Sequence, residues 1–541
     1  MTGASPHPGT SSIHECWDVR GVNKRGDLRT IRMGILEEIN VIVKHCGKGC
    51  MRVAIAYPSL YHIAVDSLSF QMLYHYLNRF DNIAAERAVY LKHGEAPTRT
   101  LESRIPLKDV DMLIFSVHYE LDYVNVVRVL LEAGIEPEGP KRKRPLVVVG
   151  GPPVIANPLP LSRFADVLVA GEIESTLPLL LEKVLEEWGS KKSLLESLPP
   201  SLGFFVPQVF SGEEVKFNAA ESLKLEFHPI AQVQPLKASS FKWKRRTVIE
   251  TSRGCLHGCR FCMEGWIFRG VRERPERDVL EIAEKGAVAN KSRLIKLVSL
   301  SFFDHHRADE ILERLVNEGF EVAVPSLRAD ALNKSRLELL RRGGQRTLVI
   351  APETGSPRLA PILGKFVKLD LAAEVAAEAR RLGFTGLKLY LMAGIPGEGY
   401  EDLDFTAEYI ARLSKHSGYQ GSRQLKITVS PFVPKPHTPL ERAPFVGIEE
   451  ARRRIEFLKR KLGGLADVRA YDPRLAWVQT ILSRGGAELG VLLQLWALKG
   501  GGLGGFRAAL REANLNPERY TNYLDGELPW SFVKLTARAR S

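Results

Sequence analysis

The sequence predicts an α/β protein in two successive folds: an N-terminal doubly wound, Rossmann-like domain, then a partial (β/α)6 TIM-like barrel. A mainly helical C-terminal region follows. Three observations carry this. Strand-like apolar runs alternate with helical patterns from residue 51 to about 185. The alternation resumes at 246 and runs through six units. Beyond 440 helical patterns and glycine clusters replace it. Near-continuous apolar strands alternating with helices imply a parallel sheet covered on both faces.

Residues 1–50 read as an extension: polar, Gly/Ser-rich and charged at first, then one amphipathic stretch (MGILEEINVIVKH). The first domain spans 51–185. Its strands are VAIAYP, MLIFSVHYE, PLVVVGGPP and VLVAGE; its helices include SLSFQMLYHYLNRF and NVVRVLLEAG. Gly150 and Gly151 fall at the carboxyl end of a strand, where such sheets bind ligands, although a glycine pair there also suits a tight turn. Residues 186–245 read as an irregular connector.

The second fold spans 246–440. Its strands are TVIETS, LIKLVSLSF, EVAVPSL, TLVIAP, GLKLYLMAG and QLKITVSPF, separated by five helical patterns. Barrels of this kind place chemistry at the strand C-termini. Residues 441–541 read as helical, with GGGLGG and a closing LPWSF.

Composition bounds the function. In 541 residues, 45% hydrophobic and 26% charged content suit a soluble globular protein. The apolar runs LPLLLEKVL and GVLLQLWAL are too short to span a bilayer, and the N-terminus lacks a signal-peptide core. The expected compartment is the cytoplasm, with no membrane partner. The formal net charge of +13, with basic runs KRKR, KWKRR and RRRIEFLKRK, is read as solvated surface or as contact with a polyanion.

Six cysteines occur, and three of them, Cys255, Cys259 and Cys262, crowd into CLHGCRFC after the first barrel strand. Clustering favours metal binding over a disulfide framework. Three thiolates hold three corners of a 4Fe–4S cubane and leave one iron open to an amine and a carboxylate. A zinc site would want a fourth Cys or His, and His257 is not accompanied by a second ligand pair. His45, Cys46 and Cys50 are a further metal-site candidate, and Cys16 reads as a free thiol. His305 and His306, after the second barrel strand, read as solvated or facing the site; Asp304 just before them is placed to reach substrate. His437 reads as a turn-stabilising donor or a proton-transfer group.

The loop resembles that of the radical S-adenosylmethionine enzymes, with Cys255, Cys259, Phe261 and Cys262 matching CxxxCxΦC. The resemblance implies a [4Fe–4S] cluster that cleaves S-adenosylmethionine to a 5′-deoxyadenosyl radical, an electron donor such as ferredoxin or flavodoxin, and a set of cofactor contacts. Phe261 would pack on the adenine. Ser299 and Ser301 stand where the family holds the amino group, although GGE is commoner there. Glu353 would meet the ribose, and Gly394, Ile395 and Gly397 would line the adenine pocket. Arg328 would pair with the carboxylate or form a rim salt bridge.

From 51 to 540 the chain resembles a radical SAM family related to the cobalamin-binding-domain group, through AYPSLYHIAV, SVHYELDYVNV, VVVGGPP, SRGCLHGCRFC, PSLRADAL, SPFVPKPHTPLE and LPWSF. Cobalamin is therefore a further cofactor to consider, although the DxHxxG motif is absent. The basic balance points to methylation or methylthiolation of RNA or a ribosomal protein. A small metabolite is the rival substrate, and a noncatalytic iron–sulfur protein that binds nucleic acid is the rival class.

Overall fold

The computed structural model describes residues 29–33, 36–47, 49–238, 241–366 and 368–535; Cys16 lies outside them. The chain opens on an antiparallel hairpin, β1 (Arg29–Met33) and β2 (Leu36–Val41). The amphipathic stretch of the expected extension is thus largely strand.

Next come β3 (Met51–Leu60), β4 (Ile83–Tyr90), β5 (Met112–Ser116), β6 (Leu146–Gly150), β7 (Val167–Val169) and β8 (Phe204–Phe205). They form one sheet in the order β4-β3-β5-β6-β7-β8, parallel except for β8. The order reverses direction at β3, which is the topological switch of a doubly wound sheet. Helices α1 (Leu68–Leu77) and α3 (Ile173–Glu186) bury Met72, Leu73, Leu177 and Leu180 with Ile114 and Val148 on one face; α2 (Tyr123–Glu132) covers the other.

Strand β4 escaped the sequence reading because Glu86 and Arg87 interrupt its apolar run, yet all eight of its residues are buried. Arg87 reconciles the two facts. Its Nη1 and Nη2 donate to the two oxygens of Glu38 at 2.7 and 2.8 Å, and its Nε donates to Glu102 at 2.6 Å. Glu38 belongs to β2, so a buried ion pair ties the N-terminal hairpin to the edge of the sheet.

The connector supplies β9 (Gln234–Ala238), antiparallel to β2. The barrel strands follow: β10 (Thr247–Glu250), β11 (Leu294–Val298), β12 (Glu321–Ala323), β13 (Thr347–Glu353), β14 (Gly386–Ala393) and β15 (Leu425–Pro431). After β10 the cysteine loop leads into a single-turn helix, α4 (Met263–Ile267). The six strands pair in parallel and in chain order, with one bridge, Leu327 to Ile350, joining β12 to β13. A seventh parallel strand, β16 (Asp467–Ala470), comes from the region read as helical.

Three later helices, α5 (Pro473–Arg484), α6 (Leu489–Leu498) and α7 (Gly502–Glu512), reach back to the first domain. Val478, Leu492, Trp496 and Phe506 share a core with Val126, Val129 and Phe164. No described helix is long and apolar enough to cross a membrane; GVLLQLWAL is the buried α6.

Removing one member of a buried charge pair strands the other in a low-dielectric interior. Glu38→Ala is expected to cost about 3 kcal/mol of unfolding free energy, read as a lower guanidinium midpoint. An unchanged midpoint would show that Glu102 alone satisfies Arg87.

Candidate functional site

The cysteine loop opens on a glycine at a close approach. Gly254 has φ +91°, and a Cβ there would lie 2.5 Å from the Phe268 carbonyl oxygen and 2.7 Å from that of Gly270. A Cβ on Gly265 would lie 3.6 Å from Cys262 Sγ and 4.0 Å from Cys255 Cβ, so both cysteines flank the start of α4. The loop is pinned elsewhere by polar bonds. Trp266 Nε1 donates to the Cys259 carbonyl at 2.9 Å, and Arg260 N–H donates to Leu363 O at 2.8 Å.

Cys255, Cys259 and Cys262 are free and half-buried. Burial pushes all three thiols up, Cys262 to about 11. Thiols so placed ionise readily only when a cation joins them. Among the described residues, the ligand atoms that close to within 4.8 Å of one another are those of Glu273, His305 and His306, not these three sulfurs. Three thiols without a fourth protein ligand grouped with them among the described residues suit a cubane with one open iron better than a closed zinc site.

Around this loop the structure gathers several of the expected residues. Phe261 and Ile395 pack with Leu359, Leu363 and Phe432 in one apolar cluster. Gly394 and Gly397 both have φ +78°, and a Cβ on Gly394 would meet Val446 at 2.7 Å, so the turn after β14 requires glycine. The Gly394 N–H donates to Glu398, whose carboxyl burial pushes up to about 7. Glu353, also at positive φ (65°), accepts a bond from Lys365 Nζ at 2.8 Å; Lys365 in turn lies 6.0 Å from the Phe261 ring centroid. Strain at a non-glycine residue beside a buried ion pair marks Glu353 as held in place by its surroundings.

Ser299 Oγ lies 2.7 Å from Ser252 Oγ and accepts from the Ser301 N–H. Asp304 faces His257 of the cysteine loop at 2.8 Å. Burial would raise the Asp304 carboxyl, but its close neighbours His257 and Ser301 and the charge of Arg328 overcome it and hold it below the usual range. Asp304 therefore braces the loop. Arg328 forms an ion pair with Asp330, Nη2 to Oδ2 2.7 Å, while its charge reaches Cys259 and Asp304.

Other candidates resolve differently. Cys46 and Cys50 are joined in a disulfide, so that group is not a metal site. His305 is buried rather than solvated: its Nε2 lies 3.0 Å from the Arg274 carbonyl and its Nδ1 accepts from Arg307 N–H. His306 is exposed and pairs with Glu273. His437 has φ +60°, and its Nε2 lies 3.0 Å from the Ala156 carbonyl oxygen of the first domain.

A cavity of about 350 Å³ lies between the carboxyl ends of the two sheets. Ser116, Gly150, Gly151 and His118 line it from the first domain; Ser299, Arg253 and Glu264 line it from the barrel. A Cβ on Gly151 would overlap Val117 O at 1.8 Å, so that glycine serves the turn, whereas Gly150 would meet only Val169 Cβ at 3.7 Å. The His118 ring is open to the cavity but enclosed elsewhere. It stacks on Tyr57, and its Nε2 lies 2.8 Å from Ser69 Oγ and 3.2 Å from Ser116 Oγ. Burial pushes it down to about 4.

Arg253, immediately before the loop, bridges the domains: it donates twice to Glu174 and twice to Glu250, and pairs with Glu172 at 3.1 Å. His118, Arg253, Glu264 and Lys365 were not singled out from sequence. Only the position of Arg253 beside the loop offered a signal.

Burial also depresses His75 and His437 to about 4. An unfolded histidine takes its proton near 6.5, so between about 6.5 and 4 the unfolded state binds more protons. Stability should be full above that window and fall as pH drops through it, by up to about 1.4 kcal/mol per unit for each histidine. Urea midpoints at pH 7 and 5 test this, and His437→Gln should flatten the decline.

Residues 249–410 match the radical SAM superfamily, and residues 69–207 match the N-terminal region of radical SAM proteins. An uncharacterised protein of Methanocaldococcus jannaschii is 28% identical, across 81% of this chain and 89% of its own. An uncharacterised methyltransferase of Pyrococcus horikoshii is 27% identical over 31% of this chain and 37% of its own. In fold the chain is similar to the radical S-adenosylmethionine methyltransferase TsrM from Kitasatospora setae, solved with cobalamin and a [4Fe–4S] cluster. That likeness has a TM-score of 0.55 at 14% identity, covering 86% of this chain and 99% of that one.

Proposed function

Starting from a chain that is a radical SAM enzyme, we propose that it is a corrinoid-dependent methyltransferase whose reaction takes place in the cavity between the two sheets. The observation that carries this is the continuity of that cavity. Its inner part is an apolar slot at the carboxyl ends of β5 and β6, walled by Leu68, Met72 and Leu73 of α1 and Ile173, Leu177 and Leu180 of α3. Its outer part reaches Ser299 and the start of the cysteine loop. A slot beside the switch point of a doubly wound sheet is where such folds take cofactors. The cofactor content of TsrM and the name of the Pyrococcus relative agree with the reading.

In this reading Cys255, Cys259 and Cys262 hold the cluster. When bound, the cluster supplies the electron for reductive cleavage of S-adenosylmethionine, and the corrinoid carries a methyl group. The chain supplies position and dryness. Phe261 and Ile395 form an apolar wall for the adenine, Glu353 stands ready for the ribose, and Ser299 and Ser301 offer hydroxyls to the amino group. Arg328, although paired with Asp330, retains a cationic face towards the loop for the carboxylate. His118, uncharged, offers a hydrogen-bonding edge at the slot floor without adding a charge to an apolar wall.

Surface charge had pointed to RNA or a ribosomal protein. The basic runs are now largely neutralised: Arg142 is buried against Asp166, Arg246 pairs with Asp66, and Arg452, Arg453 and Arg454 pair with Glu449 and Glu450. A small metabolite is the better fit to an enclosed chamber.

Anaerobic reconstitution with iron and sulfide, then dithionite and S-adenosylmethionine, should yield 5′-deoxyadenosine or a methylated product, and Cys259→Ala should abolish it. Purified from a cobalamin-fed host, the protein should carry corrinoid absorbance. Leu177→Trp should fill the slot, removing that absorbance at least tenfold while cluster assembly survives. Corrinoid retained by Leu177→Trp, or never bound by the parent, would refute the placement.

A further inference from the structure

Four carboxylates line the cavity: Glu172, Glu174, Glu250 and Glu264. Three are engaged. Glu174 and Glu250 each take two bonds from Arg253, and Glu172 pairs with both Arg253 and Arg272. Glu264 stands apart. It lies on α4, and its side chain is open to the cavity. Among the described residues its carboxylate has no hydrogen-bond or ion-pair partner; the cation whose field reaches it, Lys435, is already held by Glu120.

An unpaired carboxylate that opens into a cavity is free to take a ligand of opposite charge. The other wall charges sharpen the point. Arg253 is the sole cation among the cavity-lining residues, and every face of its guanidinium is taken by glutamates. A phosphate entering here would meet carboxylates and no free cation. A positively charged nitrogen would find Glu264 unopposed, beside apolar surface from Phe268 and Leu300.

We propose that Glu264 is the substrate anchor, binding an ammonium or guanidinium group of a small molecule at the barrel end of the cavity. The proposal rests on reading this cavity as the reaction chamber and names its substrate class: a cationic, nitrogen-bearing compound rather than a phosphate-bearing one. Glu264 and Ser299 line the same cavity, so the bound molecule would lie on the barrel side of the slot.

The test uses two probes of similar shape and opposite charge, phenethylammonium and 3-phenylpropanoate, titrated calorimetrically into reconstituted protein loaded with S-adenosylmethionine. The ammonium should bind at least tenfold more tightly. Glu264→Gln should erase that preference, Glu264→Asp should keep part of it, and S-adenosylmethionine affinity should stay within twofold in both. Equal or absent binding of the two probes, or a preference that survives Glu264→Gln, overturns the proposal. So does a parallel loss of S-adenosylmethionine affinity, which would assign Glu264 to that cofactor. Corrinoid content and 5′-deoxyadenosine are measured on the same samples. Their absence with the ammonium preference intact would sink the methyltransferase reading and leave the anchor standing.

Discussion

Arg253 holds the two halves of this molecule in register. It lies one residue before the glycine that opens the cysteine loop, and it is mostly buried among Glu172, Glu174 and Glu250. Two of those carboxylates come from the first domain and one from β10, so a single guanidinium fixes the cluster loop against the Rossmann-like sheet. Bidentate arginine–carboxylate pairs fix direction as well as distance. Arg272 and Arg274 share the same glutamates, and burial makes the arrangement intolerant of a missing member.

The consequence of that clamp is a shared chamber. Parallel sheets direct their carboxyl ends, and the loops that follow, to one side. Here the two sheets present those ends to the same cavity, so His118 and Gly150 of one face Ser299 and Glu264 of the other. The last long helices, α6 and α7, cover the first domain, burying Trp496 and Phe506 against Val126 and Val129. Chain order and spatial neighbourhood therefore part company at both ends. The N-terminal hairpin docks on β4 through Glu38 and Arg87, and the last helices fold back over α2.

What could be read in advance follows from what local sequence controls. The six barrel strands were legible because apolar runs between helical stripes leave little choice of secondary structure. Strand β4 was not, since a buried Arg87 looks like surface until Glu38 and Glu102 are beside it. Strand β16 was hidden because DVRA is short and polar, with none of its four residues fully buried. Among the site residues, the cysteines announced themselves by spacing. Asp304 was read as placed to reach substrate, and its contact with His257 of the loop emerged only from the fold. The disulfide between Cys46 and Cys50 and the burial of His305 both reversed readings made from local composition alone.

The sequence by itself determined the repeating α/β pattern, the three-thiol loop and the glycines its turns need, because each depends on residues close together in the chain. Tertiary structure decided which charges are free. Four glutamates line one cavity, and three are neutralised by arginines: Glu172 and Glu174 across a domain boundary, Glu250 by Arg253 three residues on. Glu264 alone among them keeps an open carboxylate. Ion pairing depends on separations of a few ångströms between elements that only packing brings together, so the polarity of the chamber was settled by the fold.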